Sequence, residues 1–168
     1  DYGGTYFLTQ LVGSAKAREM YYLSDRVSAE EALRLGLAEG TIGAAVSAHT
    51  PLGLDVKRVP FAEAAPGATG IELLLPLTLA WGEALSLPLR RSLLPVTAHA
   101  ASILGVEAGQ IAVGHRADLC LFDPEARWTV SENDLRSAGK LTPFLGRTLQ
   151  GRVEATLAGG QTVYLRRR

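Results

Sequence analysis

The chain has 168 residues, of which 47% are hydrophobic and 20% are charged. This composition suits one ordinary domain with a sizeable core, and it excludes a disordered segment. Seventeen basic residues balance seventeen acidic ones, so we expect neither nucleic acid nor a membrane as a partner. The single cysteine, Cys120, excludes an intrachain disulfide and predicts a cytoplasmic protein.

The first part of the chain has the periodicity of helices. Apolar residues from Thr5 to Leu23 recur at steps of three and four, and Gly13-Ser14 interrupts them, which predicts a helical hairpin. Ser28 and Glu31 have the spacing of a capping box, and the helix that they open is predicted to stop at Gly36.

The middle of the chain is predicted to alternate a strand, a loop and helices. The apolar run from Thr41 to Ser47 predicts a buried strand, and the Pro- and Gly-containing stretch up to Gly67 predicts a long irregular loop. Thr69 and Glu72 offer a second capping box, which predicts a helix with a kink or a boundary at Pro76. Two shorter helices are predicted to follow, at 88–94 and 96–104.

After Gly109 the pattern changes to short strand-like runs that are separated by turns. Gly159-Gly160 lies between the last two runs and indicates a two-residue hairpin. The chain is therefore predicted to end in a small, mostly antiparallel β unit, with Cys120 buried in one of its strands. The predicted strands are 111–113, 119–122, 128–130, 153–157 and 162–165.

Two stretches of the chain resemble two different families. Residues 1–37 contain Gly-Gly-Thr, Leu-Val-Gly, Ala-x-Glu and Ser-Ala-x-Glu-Ala followed by Gly-Leu, in this order. In these motifs the segment resembles the crotonase (enoyl-CoA hydratase/isomerase) superfamily. Gly-Leu-Ala-x-Gly at 36–40 fits either family and is the natural place for a junction.

The longer resemblance covers about residues 40–164. It rests on SAHTP at 47–51, VPFAEAAPGATGIELLLPLTLAW at 59–81, GxxAVGxxADLCLFDP at 109–124, and TPFLG with GRVEATLAGGQTVY between 142 and 164. In these stretches the chain resembles the C-terminal part of dihydroorotase, a zinc amidohydrolase of pyrimidine biosynthesis.

The two resemblances imply an α/β fold in three parts. Residues 1–37 are a crotonase-like helical segment, residues 38–108 are the last part of a (β/α)8 barrel, and residues 109–168 are the small β unit appended to it. A complete barrel takes about 250 residues, and a partial one leaves strand edges uncovered. We therefore expect self-association or marginal stability.

The resemblance also implies that the catalytic residues are missing. Where the family has Ser-Asp-His, with the aspartate expected as metal ligand and general base, this chain has Ala48, whose methyl group cannot carry a proton. Leu52 stands where many members have a second histidine. The three histidines, His49, His99 and His115, include no His-x-His pair, so we predict no catalytic residue, no metal site and no cofactor, although the parent family uses zinc.

Three residues remain as candidates for substrate binding. His49 follows the position of the missing aspartate, and Pro66 and Gly67 match a loop whose backbone meets the substrate in the family. The alternatives are structural: His49 as a polar residue at a strand end, and Pro66-Gly67 as a turn before the cap at Thr69.

The sequence therefore predicts a dihydroorotase-like amidohydrolase that is catalytically deficient, either as a fragment or as a noncatalytic homologue. The resemblance implies aspartate carbamoyltransferase as a partner, because some noncatalytic bacterial relatives serve as its structural partners. Two alternatives stay open: a remnant of a crotonase that binds a CoA thioester, and a fusion without a native function.

Overall fold

A computed structural model of the chain describes residues 36–60 and 62–166. The helical hairpin, the capping box at Ser28 and nearly all of the crotonase-like segment lie outside these residues. The described fold is α/β, with helices preceding a three-stranded antiparallel sheet. The helices are α1 (Leu74–Ala84), α2 (Leu89–Leu93) and α3 (Ala98–Leu104), with 3-10 turns at Asp55–Lys57, Ile71–Leu73 and Leu94–Val96, and the strands are β1 (Leu119–Thr129), β2 (Thr148–Ala158) and β3 (Gln161–Leu165).

The helix predicted to stop at Gly36 continues for another turn, as far as Glu39. Gly36 is buried beside Ile42, and a Cβ there would lie 2.7 Å from the Ile42 Cδ1 atom. Gly40 takes the left-handed conformation that ends helices, with φ 79°. The predicted stop is therefore wrong because Gly36 serves close packing and Gly40 ends the helix.

The prediction of a buried strand at 41–47 is wrong. The segment lies alongside the turn before α3, where the Ala45 N–H donates to the Pro95 carbonyl at 3.0 Å. Val46 is 80% exposed. A buried parallel strand needs neighbours and cover on both faces, and the described part of the chain supplies no ladder partner for 41–47. The described residues of the expected barrel part thus form helices, 3-10 turns and irregular segments.

The core forms where α1 meets the sheet. Leu73, at the start of α1, is buried with three residues of the β unit. At Gly151 in β2, φ is 93° and an added Cβ would collide with the Leu79 side chain, so the helix lies directly on the strand. Pro76 sits in the first turn of α1, which agrees with the predicted helix boundary, because N–H groups in the first turn have no partner within the helix to lose. The buried cluster comprises Leu73, Val130, Leu135 and Leu149, with Leu77, Trp128 and Phe144 packed against it.

The sheet confirms the predicted hairpin and changes other strand predictions. Ala158 pairs with Gln161 around Gly159-Gly160, whose φ angles of 56° and 82° suit a two-residue turn. Two predicted strands, 119–122 and 128–130, form one long strand with irregular pairing between Asp123 and Arg127. The run 111–113 is not a strand, and Ile111 is 90% exposed.

Cys120 is exposed, so its predicted burial is wrong. It pairs with Thr156 near one end of the sheet, whereas α1 covers the other end, around Gly151. The two short helices after α1 are confirmed, and α3 ends at Gly105 in the left-handed conformation. Across the two described ranges, no helix is long and apolar enough to cross a membrane.

Candidate functional site

Two segments that are distant in sequence lie side by side and bring the candidate residues together. His49 and Ala68 form a parallel bridge, and the Thr50 N–H donates to the Ala68 carbonyl at 2.9 Å. A Cβ at Gly70 would lie 2.7 Å from the Ser47 carbonyl oxygen, so glycine permits this contact. Residues 47–50 and 66–70 therefore form one structural unit in front of α1.

His49 uses one ring nitrogen to hold the start of the helical segment. Its Nδ1 accepts hydrogen bonds from the backbone N–H groups of Gly70 at 3.2 Å and Ile71 at 3.3 Å. The first N–H groups of a helix have no partner within the helix, and a side-chain acceptor satisfies them. In this arrangement the neutral imidazole carries its proton on Nε2, which remains the nitrogen able to donate to a ligand.

The capping box predicted at Thr69 and Glu72 is wrong, because both side chains bind elsewhere. The Thr69 hydroxyl donates to the Gly139 carbonyl at 2.5 Å. Glu72 Oε1 accepts from the Arg136 N–H at 2.9 Å, and from the Ser137 N–H and hydroxyl at 2.7 Å each. These tertiary hydrogen bonds replace the local ones, and His49 supplies the cap from a distant part of the sequence.

The pKa of the Glu72 carboxyl lies below its ordinary value. Partial burial acts to raise it, but the Ser137 hydroxyl and the N–H groups of Ser137 and Arg136 together lower it. The carboxylate therefore stays charged and ties the start of α1 to the loop at 136–139.

The structure shows the backbone at position 48, where the resemblance implies an aspartate. Ala48 is exposed and has φ 44°, in the left-handed region that alanine seldom adopts and that aspartate adopts more readily. Leu52 is half-buried. The backbone conformation at position 48 is thus one that aspartate, the residue implied by the resemblance, adopts more readily than alanine.

The side chains of this unit do not fit zinc. A zinc site needs at least three converging nitrogen, oxygen or sulfur ligands. His49 Nδ1 is engaged with backbone N–H groups, and Ala48 and Leu52 offer no ligand atom. Within 36–60 and 62–166, no three His, Cys, Asp or Glu side chains lie close enough to hold a metal.

Pro66 and Gly67 lie in the same unit as His49, and the structure explains Gly67 without a ligand. Gly67 has φ 127°, and an added Cβ would lie 2.7 Å from the Thr50 Cβ. Pro66 is exposed. The turn in this region lies at 62–63, before Pro66, so the structural alternative of a turn at Pro66-Gly67 is wrong, and substrate binding by His49, Pro66 and Gly67 stays a prediction.

The other two histidines lie away from this unit. His99 is exposed on α3. His115 lies in the turn region before β1 and is half-buried. Nearby, Asp118 Oδ1 accepts from the Gly159 N–H at 2.7 Å and so holds the hairpin turn against the start of β1.

Sequence reasoning missed a second concave region, lined by residues of α1, the sheet and the loop between β1 and β2. Trp128, Arg136, Arg152 and Tyr164 belong to it. These residues are far apart in sequence and fit no motif, so the only available signal was their type: aromatic and arginine side chains within a strand-rich region.

Comparison with known proteins identifies the class to which the chain belongs. The sequence model of the amidohydrolase family matches residues 67–164, which is more than half of the chain. The chain belongs to the amidohydrolase family. The match does not reach residues 1–37, so their crotonase-like character stays a prediction.

Similar bacterial proteins show which subgroup of the amidohydrolase family the chain resembles. The chain is 38% identical over 135 residues to the dihydroorotase of Geotalea daltonii, and this alignment covers 80% of the chain and 32% of the relative. It is 42% identical over 137 residues to a dihydroorotase-like protein of Pseudomonas aeruginosa, with 80% and 31% covered. At the level of the family, the chain is a dihydroorotase-like amidohydrolase that spans about a third of the length of these relatives.

Solved structures agree with this assignment. A D-hydantoinase (dihydropyrimidinase) from Thermus sp. matches with a TM-score of 0.74 and 26% identity over 81% of the chain and 31% of that protein. An L-hydantoinase (dihydropyrimidinase) from Arthrobacter aurescens matches with a TM-score of 0.72 and 29% identity over 82% and 32%. The described α/β fold is thus the fold of one third of such an enzyme.

Proposed function

We propose that the chain is a catalytically deficient, dihydroorotase-like amidohydrolase. The observation that carries the proposal is Ala48, an alanine in the left-handed conformation at the position of the expected catalytic aspartate. A hydrolase of this class needs a group that accepts the proton of the attacking water, and a methyl group cannot do so. The parent reaction is the metal-dependent hydrolysis of the cyclic amide of dihydroorotate, a step of pyrimidine biosynthesis.

Two further observations support the deficiency. His49 directs Nδ1 to the backbone of Gly70 and Ile71, so it acts in this unit as a positioning residue for the start of α1. The described residues also bring no cluster of metal ligands together. No step through zinc can be derived from this set of side chains.

We further propose that the described fold corresponds to the C-terminal part of a (β/α)8 barrel together with its appended β unit. The shared third of the hydantoinase structures supports it. In this proposal the segment at 41–47, which is not a strand here, occupies the place of a barrel strand whose neighbours are not among the described residues. Its exposed Val46 is the side chain that such neighbours would cover.

The experiment is a hydrolysis assay of the purified chain with dihydroorotate, with added zinc and with a chelator. We expect no turnover above the uncatalysed rate and no stoichiometric zinc by elemental analysis. A full-length bacterial dihydroorotase is the positive control. Zinc-dependent turnover that is lost on chelation would refute the proposal.

The matched variant is Ala48→Asp, which returns the carboxylate. The left-handed backbone accepts aspartate, so the variant is expected to fold. It is nevertheless expected to stay inactive, because the described residues provide no second and third ligand. Activity restored by this one change would show that the site is otherwise complete.

A catalytically deficient chain of this family can still act as a structural partner of an active enzyme, and this is the cellular function that follows from the proposal. We propose aspartate carbamoyltransferase as that partner and the cytoplasm as the location, both on the family resemblance and the single cysteine. Co-purification of the chain with the transferase from a mixture of the two purified proteins tests the pairing. Independent elution on size-exclusion chromatography would count against it.

A further inference from the structure

A cleft of about 220 Å³ opens where α1, the sheet and the loop between β1 and β2 meet. Its apolar wall consists of Pro76 from α1, Val153 from β2 and the rings of Trp128 and Tyr164. His49, Pro66 and Gly67 do not line it, so it is separate from the unit described above. Ligand sites are concave and mostly apolar with a few placed polar groups, and this cleft has that composition.

The tryptophan of the cleft is held in place. Its Nε1–H donates to the Gly151 carbonyl at 2.9 Å. The guanidinium of Arg152 lies 4.9 Å from the centre of the Trp128 ring and covers one face. The indole is therefore a rigid wall, and ordering it on binding carries little entropic cost.

Three of the four charges in the cleft are already engaged. Arg152 forms an ion pair with Asp134, which also accepts from the Ser131 hydroxyl at 2.6 Å. Glu72 Oε1 accepts the hydrogen bonds from residues 136 and 137, while its Oε2 is buried and has no hydrogen-bond partner among the described residues. Arg152 and Asp134 therefore balance each other, whereas Glu72 is held by hydrogen bonds and has no ion-pair partner in the described part of the chain.

The fourth charge, Arg136, is the one that is open to solvent. Its side chain is exposed and has no ion-pair partner within the described ranges, and its guanidinium lies 5.8 Å from the centre of the Tyr164 ring. Thr156 and Tyr164, which also line the cleft, each carry a hydroxyl. The cleft thus presents the Arg136 guanidinium and two hydroxyl-bearing side chains beside an aromatic wall.

We propose that this cleft binds a small organic carboxylate with a flat apolar body. Arg136 would donate two parallel hydrogen bonds to the carboxylate, since the guanidinium fork matches carboxylate geometry. The apolar body would lie against Trp128 and Val153, which are half-buried and keep accessible surface. The volume is below the roughly 300–1,000 Å³ of sites for drug-sized ligands, which limits the body to about one ring.

The test titrates the full chain with benzoate and follows amide and indole NMR shifts. Benzamide, which has the same ring and no charge, is the ligand control. We expect saturable binding of benzoate with shifts confined to the cleft, including the Trp128 indole, and no saturable binding of benzamide. Equal binding of the two compounds, or no binding of benzoate at millimolar concentration, would overturn the proposal.

The matched variants are Arg136→Gln and Arg90→Gln. The first removes the free charge and keeps most of the side-chain stem, and the second removes an exposed arginine on α2 that does not line the cleft. Arg136→Gln is expected to weaken benzoate binding by about tenfold or more, as for the loss of one charge-assisted hydrogen bond, while Arg90→Gln leaves it unchanged. Both spectra must keep the dispersion of the folded chain, and unchanged affinity in Arg136→Gln would contradict the assignment.

Discussion

At the scale of single residues, the most informative side chain is His49. A histidine that follows an expected catalytic position is easily read as a substrate ligand, yet its Nδ1 serves the backbone of Gly70 and Ile71. The His49 imidazole thereby holds the segment at 66–70 in place, while its Nε2 remains able to donate a hydrogen bond. Its structural role can therefore be measured without any substrate.

We predict that His49→Ala destabilises the chain by about 1–2 kcal/mol, since it leaves two N–H groups at a helix start without an acceptor. Urea unfolding followed by circular dichroism measures the difference. His99→Ala, at an exposed position on α3, is the control and should change stability by less than about 0.5 kcal/mol. Equal effects of the two substitutions would contradict the capping role.

A second prediction at this scale concerns pH and Glu72. Because its pKa is lower in the folded chain than the ordinary value, the stabilisation is complete above the pKa of the unfolded chain. It is lost as the pH falls through the folded pKa. Glu72→Gln should therefore be less stable than the native chain by about 1–2 kcal/mol at pH 7, and the gap should close in acid.

The measurement is urea unfolding of both proteins at several pH values between neutral and acidic. Glu63→Gln, at an exposed carboxylate without a hydrogen-bond partner in the described ranges, is the control and should follow the native curve. A gap between the native chain and Glu72→Gln that stayed constant with pH would show that the carboxylate charge contributes nothing.

At the scale of elements, the contact between α1 and α2 depends on a glycine. Gly82 and Ser92 are both buried, and a Cβ at position 82 would lie 2.5 Å from the Ser92 Cβ and closer still to its hydroxyl oxygen. The two helices can approach each other only because position 82 has no side chain. This contact holds the helical part together next to the sheet.

We predict that Gly82→Ala destabilises the chain by about 1–3 kcal/mol, because the helices must separate to admit the methyl group. Gly53→Ala is the matched control, since nothing lies within 4 Å of a Cβ there. Thermal unfolding of the two variants gives the comparison. If Gly82→Ala were as stable as Gly53→Ala, the close approach of α1 and α2 would be wrong.

At the scale of the whole molecule, one face of the sheet remains apolar and exposed. Leu121, Ala155 and Leu165 form a row across the three strands, with Leu121 51% and Leu165 67% exposed. Alternation along β3 puts Val163 on the same face, opposite to Tyr164 and the cleft. Contiguous exposed apolar surface favours association.

We therefore predict that the chain self-associates in a concentration-dependent way, as measured by sedimentation velocity. Leu165→Lys should shift the equilibrium toward the monomer, because it places a charge in the apolar row. Ile111→Lys, at a position 90% exposed in the loop before β1, should leave the equilibrium unchanged. A chain that stays monomeric at all concentrations would contradict the prediction.

The sequence by itself determined the features that depend on neighbouring residues. The hairpin at Gly159-Gly160 and the helix end at Gly105 follow from the backbone freedom of glycine, which is a local property. The family assignment also required only the identities of residues in order, and the prediction that Ala48 replaces a catalytic aspartate has the same basis. The helices from 74 to 104 and the final strands were readable in the same way.

Other features depend on which of several distant groups binds a given partner, and these could be seen only in the tertiary structure. Thr69 and Glu72 have capping-box spacing, but the loop at 136–139 offers their side chains stronger partners, and His49 caps the helix instead. The run 41–47 reads as a buried strand, yet a strand needs neighbours, and these are not among the described residues. The cleft around Arg136 could not be read from the sequence either, because a free charge is recognised only when the partners of every nearby charge are known.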